Sequence, residues 1–266
     1  MANSDGFKTY SGLLGSKVIT VGKEDSVFNY TAIETAVAAA NPKDIIKVYP
    51  GTYTLTETLD VIKDLSIIGV GSIGDVVITS ALATTPTIAI NVPVSHNATS
   101  DVHFEDVTII NSAAGSALEI DNDGGALYNL SVDLKDCSIY NTAAGYAVEL
   151  LQTEATKDIM LAITGNPVMH YIGYSLFTQT KAASVVFMLG MNCEGVFELD
   201  ASAVAATFDM IGCIYADAAQ TTGGGAGRLL NYVGGIYGAS GLAAALTKGA
   251  ATDFDATGTE FWASYA

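Results

Sequence analysis

The 266 residues carry a formal net charge of −17, from 28 acidic against 11 basic side chains, and half of them are apolar. Neutralising a phosphate backbone needs clustered cations, and a chain whose one arginine is Arg228, with no Lys/Arg cluster, excludes nucleic acid as a partner. The apolar runs are broken by polar residues and glycine well short of a membrane span, and Cys137, Cys193 and Cys213 are too few and too scattered for a disulfide framework.

Residues 1–22 read as an arm, with Gly6, Gly12, Gly15 and Gly22 breaking any pattern. The first residues lack a basic stretch followed by an apolar one, so no secretion signal is expected. The next segment, 31–40, has helical periodicity: Ile33, Ala36, Val37 and Ala40 form one apolar stripe. Thr31 and Glu34 have the spacing of a capping box, and Pro42 ends the run. A helix here is expected to act as a lid on the open end of the strand-rich body.

From Ile45 onward the pattern is short strands, at Ile45–Tyr49, Leu65–Ile68, Val76–Ile78, Val132–Leu134, Val185–Leu189 and Phe197–Leu199. The clearest signal is a repeat. Phe104-Glu-Asp-Val-Thr-Ile-Ile-Asn111 returns as Leu134-Lys-Asp-Cys-Ser-Ile-Tyr-Asn141, and each copy runs on into a second matched phrase, 112–120 and 142–150. With Asp106 and Asp136 as the first marks and Gly165, Gly190, Gly212 and Gly234 as the next, the steps are 30, 29, 25, 22 and 22 residues. A period of that length built of strands is one coil of a solenoid, which cannot bury its apolar face alone and must stack on neighbours. The expected fold is all-β: a single-stranded right-handed parallel β-helix over 23–250 with an N-terminal capping helix, about eight coils long. The cysteines then belong inside it as small apolar side chains. Residues 251–266 form an aromatic tail, in which Phe261, Trp262 and Tyr265 are the expected subunit contacts.

Three phrases carry a resemblance: Tyr30-Thr-Ala-Ile-Glu-Thr-Ala-Val37, Asp44-Ile-Ile-Lys-Val-Tyr-Pro-Gly-Thr-Tyr53 and Leu65-Ser-Ile-Ile-Gly-Val-Gly71. Together they look like the opening of the pectin-lyase-like superfamily of right-handed parallel β-helices, which includes pectin methylesterases, polysaccharide lyases and bacteriophage tailspikes. The likeness is good over 28–80 and general over 100–240. It specifies a fold more than an activity. The constellations of the enzymes are missing: no acidic cluster stands beside Arg228, no Gly-x-x-Asp-Phe phrase surrounds Thr252-Asp-Phe-Asp255, and the polygalacturonase phrases are absent. On that ground the chain is expected not to be an enzyme and to need no cofactor.

The resemblance then implies a bacteriophage virion protein, assembled in the host cytoplasm: a capsid decoration or head spike, with host-surface adhesion as an added role. A tail fibre or receptor-binding protein is one alternative, and a carbohydrate-active enzyme or glycan-binding module is another. The expected partners are two further copies in a homotrimer, capsid or tail proteins, and host glycans. The low charge density leaves a wall for a partner to cover.

Two patches bear on the carbohydrate alternative. Glu119 and Glu149 hold equivalent places 30 residues apart, so they fall on adjacent coils about 4.8 Å apart, near the spacing of the carboxyl pair of retaining glycosidases. The turn-like Asp121-Asn-Asp-Gly-Gly125 offers Asp121 and Asp123 to a calcium ion, against the plainer reading of an Asp/Asn/Gly turn. Tyr140, Tyr215 and Tyr237 recur after the marks and are expected to form a ladder that touches a glycan or a subunit.

Overall fold

A computed structural model describes residues 16–165 apart from 92–99, 123–128, 144 and 153–158, together with the backbone of strands between 168 and 237. The chain is a single-stranded right-handed parallel β-solenoid with three walls. The first wall has nine strands: Val18–Val21, Asp44–Val48, Leu65–Gly69, Ser100–Glu105, Leu130–Lys135, Ile159–Thr164, Val185–Leu189, Thr207–Ile211 and Leu229–Val233. The second has eight, beginning with Gly51–Thr54, Val76–Ser80, Thr108–Asn111 and Ser138–Asn141 and ending at Ile236–Tyr237. The third has four: Leu59–Val61, Ile88–Asn91, Leu118–Asn122 and Val148–Gln152.

The strands form where β-branched and aliphatic residues alternate with polar ones, because each strand has one face in the core and one outside. Asp44–Val48, Leu65–Gly69 and Val76–Ser80 alternate between buried and partly exposed positions. Parallel stacking in register then turns each buried position into a column. One column runs Ile19, Ile46, Ile67, Phe104, Leu134 and Ile163, all essentially without solvent contact. Another, in the third wall, runs Leu59, Ile88, Leu118 and Val148. The 30-residue repeat is this stacking read off the chain: Phe104 pairs Leu134, and Asn111 pairs Asn141.

The marks at Asp106 and Asp136 are corners. Both have left-handed backbone, with φ of 55° and 51°, a region that Asp enters more readily than most side chains. One coil earlier the same corner needs Gly69, since a Cβ there would lie 2.0 Å from the carbonyl oxygen of Asp106. The other corner is polar inside. Asn111 and Asn141 are buried, and each amide pairs with backbone across the bend. The Asn141 Nδ2 donates to the carbonyls of Ala113 and Gly115, and its Oδ1 accepts from the N–H groups of Ala143 and Gly145. Such side chains supply the partners that backbone turning through a core otherwise lacks. Cys137 is buried in the core as expected, and burial pushes its thiol up to about 12, which leaves it unreactive. Cys193 contributes only strand backbone to the described residues, and Cys213 lies outside them.

The N-terminal end differs in detail from expectation. The helix runs Ile33–Ala39 and buries Ile33, Ala36 and Val37. It begins at Ala32 with no side-chain cap. The capping box on Thr31 and Glu34 therefore does not form; the Thr35 hydroxyl instead donates to the Ala32 carbonyl. Val18–Val21, within the segment read as an arm, pairs with Asp44–Val48 as the end strand of the first wall. The buried Asp44 carboxylate secures this end by accepting from the backbone N–H of Lys17 and of Asn41, both at 2.8 Å. No helix among the described residues is long and apolar enough to cross a membrane.

Replacing Asn141 by alanine strands several buried backbone groups at once, each costing about 1–3 kcal/mol. We expect Asn141→Ala to lower unfolding stability by about 3 kcal/mol or more in urea titrations, against a change within about 0.5 kcal/mol for a substitution at the exposed Glu57.

Candidate functional site

The outer face of the third wall follows the same register as its core. The column alongside Leu118 runs Asp60, Ala89, Glu119 and Glu149, with Glu119 directly opposite Glu149. Strand neighbours lie about 4.7–4.9 Å apart, so the two residues are placed side by side by backbone hydrogen bonding. Asp121 is two residues further along the same strand, on the same face, and is paired with Leu151. It is therefore a strand residue rather than part of the expected turn; Asp123 lies outside the described residues. Among the described residues no three metal-ligating side chains converge.

The electrostatics of the pair are those of carboxylates that resist being charged together. Burial, then the charges of Glu149, Asp121 and Asp60, push Glu119 up to about 7. Glu149 is raised as well, mainly by burial, while a hydrogen bond from the Ser116 hydroxyl to its Oε2 acts in the opposite direction. A carboxyl raised toward neutrality beside a second carboxylate is the arrangement that can give a proton and offer a negative charge at one place.

The tyrosines do not form one ladder. Tyr140 pairs His170, which pairs Glu194. Tyr215 and Tyr237 pair each other, but in the column of Ile139, Met169 and Cys193, one residue away. Phe261, Trp262 and Tyr265 lie outside the described residues.

A second cluster escaped the sequence reading. On the outer face of the first wall His103 stands opposite Asp133, and Glu105 opposite Lys135. The His103 Nδ1 lies 2.9 Å from Asp133 Oδ2 and its Nε2 3.4 Å from Glu105 Oε2. Glu105 also contacts the Lys135 ammonium. Burial works to lower the His103 pKa, but the two carboxylates outweigh it and the net shift is upward. The signal was in the repeat: His103 and Asp133, like Glu105 and Lys135, are 30 residues apart. They belong to the gapless pair of coils that revealed Glu119 and Glu149.

No protein-family model matches the chain, and no curated protein matches it in sequence. Solved structures do match in fold. Escherichia coli YbhC is 13% identical with a TM-score of 0.50, over 80% of this chain and 70% of its own. An alginate lyase of family PL6, AlyGC, is 12% identical with a TM-score of 0.49, over 91% of this chain and 39% of its own. The pectin methylesterase of Aspergillus niger is 14% identical with a TM-score of 0.44, over 91% of this chain and 97% of its own. At this identity the likeness establishes the right-handed parallel β-helix and nothing finer. It does correct one expectation. A shared solenoid fold neither gives nor excludes an activity, so missing motifs of particular families are no ground for excluding catalysis, and the reading of the chain as a non-enzyme is withdrawn.

The His103 cluster has a testable consequence. A histidine whose folded pKa is raised contributes stability that is fully present below its unfolded value, near 6.5, and that is lost as pH rises through the folded value. The destabilisation caused by His103→Gln should therefore be largest near pH 5.5 and shrink by pH 8.5, measured as the difference in urea midpoints from the wild type.

Proposed function

We propose that the chain is a carbohydrate-active solenoid that cleaves a neutral glycan on the outer face of its third wall. The observation that carries this reading is the in-register Glu119–Glu149 pair with Glu119 shifted to about 7. In this reading Glu119 is the acid. Its proton passes to the glycosidic oxygen as the bond from that oxygen to the anomeric carbon breaks, and the Glu149 carboxylate attacks the same carbon to form a glycosyl ester. Water, giving its proton to the now ionised Glu119, then displaces Glu149, releases the sugar and restores both groups. The strand spacing supports this retaining route over an inverting one, which needs roughly 6.5–9.5 Å between carboxyl groups. The carboxylates of Asp60, Glu119, Asp121 and Glu149 on one face, with a net charge of −17, disfavour uronate polymers and leave neutral sugars as the substrate class.

The test is a panel of neutral and acidic polysaccharides assayed for new reducing ends. We expect cleavage of a neutral polymer with retained anomeric configuration. Glu119→Gln and Glu149→Gln should each reduce it by about 100-fold or more, and activity should fall as pH rises above 7. No cleavage of any polymer, or wild-type activity in either variant, overturns the assignment.

A place on a virus particle is the second reading, supported by a chain with only 15% charged residues and an aromatic C-terminal segment. It is compatible with catalysis, and it makes the chain a trimeric capsid decoration, head spike or tail fibre assembled in the host cytoplasm. Sedimentation should then give three times the 27.5 kDa chain mass, with dissociation on truncation at Gly258, and the chain should appear by mass spectrometry in purified particles. A species of one chain mass at micromolar concentration sinks the trimer.

A further inference from the structure

Glu119 and Glu149 are repeat equivalents, but the coil on which each rests is not the same. Ser116 precedes Glu119 by three residues and so lies on the coil that neighbours Glu149, where its hydroxyl donates to Glu149 Oε2. Counting back three residues from Ala89, the partner of Glu119 on the next coil, gives Pro86. A proline side chain has no hydrogen to donate. The repeat therefore supplies a donor to one carboxylate of the pair and, at the matching position, withholds it from the other.

Ser116 is placed for this by groups that have nothing to do with the carboxylates. It is buried, and its own carbonyl accepts from the Asn111 Nδ2 at 3.1 Å and from the Thr87 backbone N–H at 2.9 Å. Asn111 is in turn fixed at the polar corner, accepting from the Ala113 N–H and donating to the Leu82 carbonyl. The hydroxyl thus projects from a backbone held on both sides.

We propose that Ser116 is a positioning residue that breaks the equivalence of the pair: its hydroxyl holds Glu149 as the anion and leaves the shared proton on Glu119. This rests on the reading of Glu119 and Glu149 as the functional pair. The physical reason is that a donated hydrogen bond favours the charged form of its acceptor, and that two close carboxylates surrender their protons in two steps that belong to the pair. Asp60 and Asp121, the other charged groups on that face among the described residues, press on Glu119 and act in the same direction. A merely structural Ser116, tying one coil to the next, predicts no such ordering.

The experiment is a pH titration of the full chain, with the glutamate side-chain carboxyl carbons labelled and followed by NMR. Glu119→Gln and Glu149→Gln assign the two signals. In the wild type we expect the Glu149 signal to move in the lower step and the Glu119 signal in the upper one, near 7. In Ser116→Ala the Glu149 step should rise by on the order of one pH unit, so that the two signals move together, and Ser116→Thr, which keeps the hydroxyl, should restore the order. Pro86→Ser is the reciprocal variant. It offers Glu119 the missing donor and should lower the upper step, which keeps the question answerable if Ser116→Ala does not fold. Unchanged steps in both Ser116→Ala and Pro86→Ser overturn the proposal, as does a shift of the same size in Ser116→Ala and Ser116→Thr. The titration needs no substrate. If the order depends on Ser116 but no polysaccharide is cleaved, the glycosidase reading fails and this one stands; if a polysaccharide is cleaved with no such dependence, the reverse holds.

Discussion

Coils resting on one another in register is the constraint on which everything else in this molecule depends. A parallel ladder leaves no freedom to slide by one residue, because such a slip would turn every core side chain outward. Each position therefore faces its equivalent on the next coil at about 4.8 Å. In the core this is favourable, since columns such as Ile46, Ile67 and Phe104 bury apolar surface against apolar surface. On the outer faces the same rule brings side chains together whether or not they attract.

Two faces show the two outcomes. On the first wall the stacked residues complement each other, and His103 with Asp133 and Glu105 with Lys135 join adjacent coils. On the third wall the stacked residues are alike, and Glu119 and Glu149 repel. A surface ion pair adds little to stability, whereas a pair of like charges held together by backbone has to be accommodated by keeping a proton. The effect on the third wall is local: burial, and then the neighbouring carboxylates, raise Glu119. The core beneath it, from Leu118 to Val148, is apolar, so the backbone positions of the two residues are fixed by the ladder.

The departures from the repeat matter as much as the repeat. Ser116 and Tyr146 occupy one position on successive coils, and Pro86 holds it on the coil before. The body of a solenoid tolerates such exchange at its corners and outer faces because the backbone ladder, not the side chain, holds the coil in place. A chain can therefore acquire a site by changing single outer residues without disturbing the columns inside. This also explains why the likeness to solved solenoids reaches the fold and stops there: the shared quantity is the stacking, and any chemistry is carried by the outer decoration.

Much of this was legible in the chain. The gapless copy at 104–120 and 134–150 determined the coil, its parallel register and the adjacency of Glu119 to Glu149, because equal spacing in a stacked ladder is equal position in space. The apolar stripe of Ile33, Ala36 and Val37 determined that a helix with these side chains buried precedes the solenoid. Two inferences from the chain failed. Tyr140 and Tyr215 follow their marks closely but fall in different columns, since only hydrogen-bonded register, not distance from a glycine, decides which residues meet. Thr31 and Glu34 have the spacing of a cap, yet the first turn starts at Ile33, beyond Thr31. The sequence by itself determined which residues repeat. Only the tertiary structure decided how Glu119 and Glu149 differ, because that depends on burial, on neighbouring charges and on a hydroxyl donated from the coil alongside, none of which a period along the chain contains.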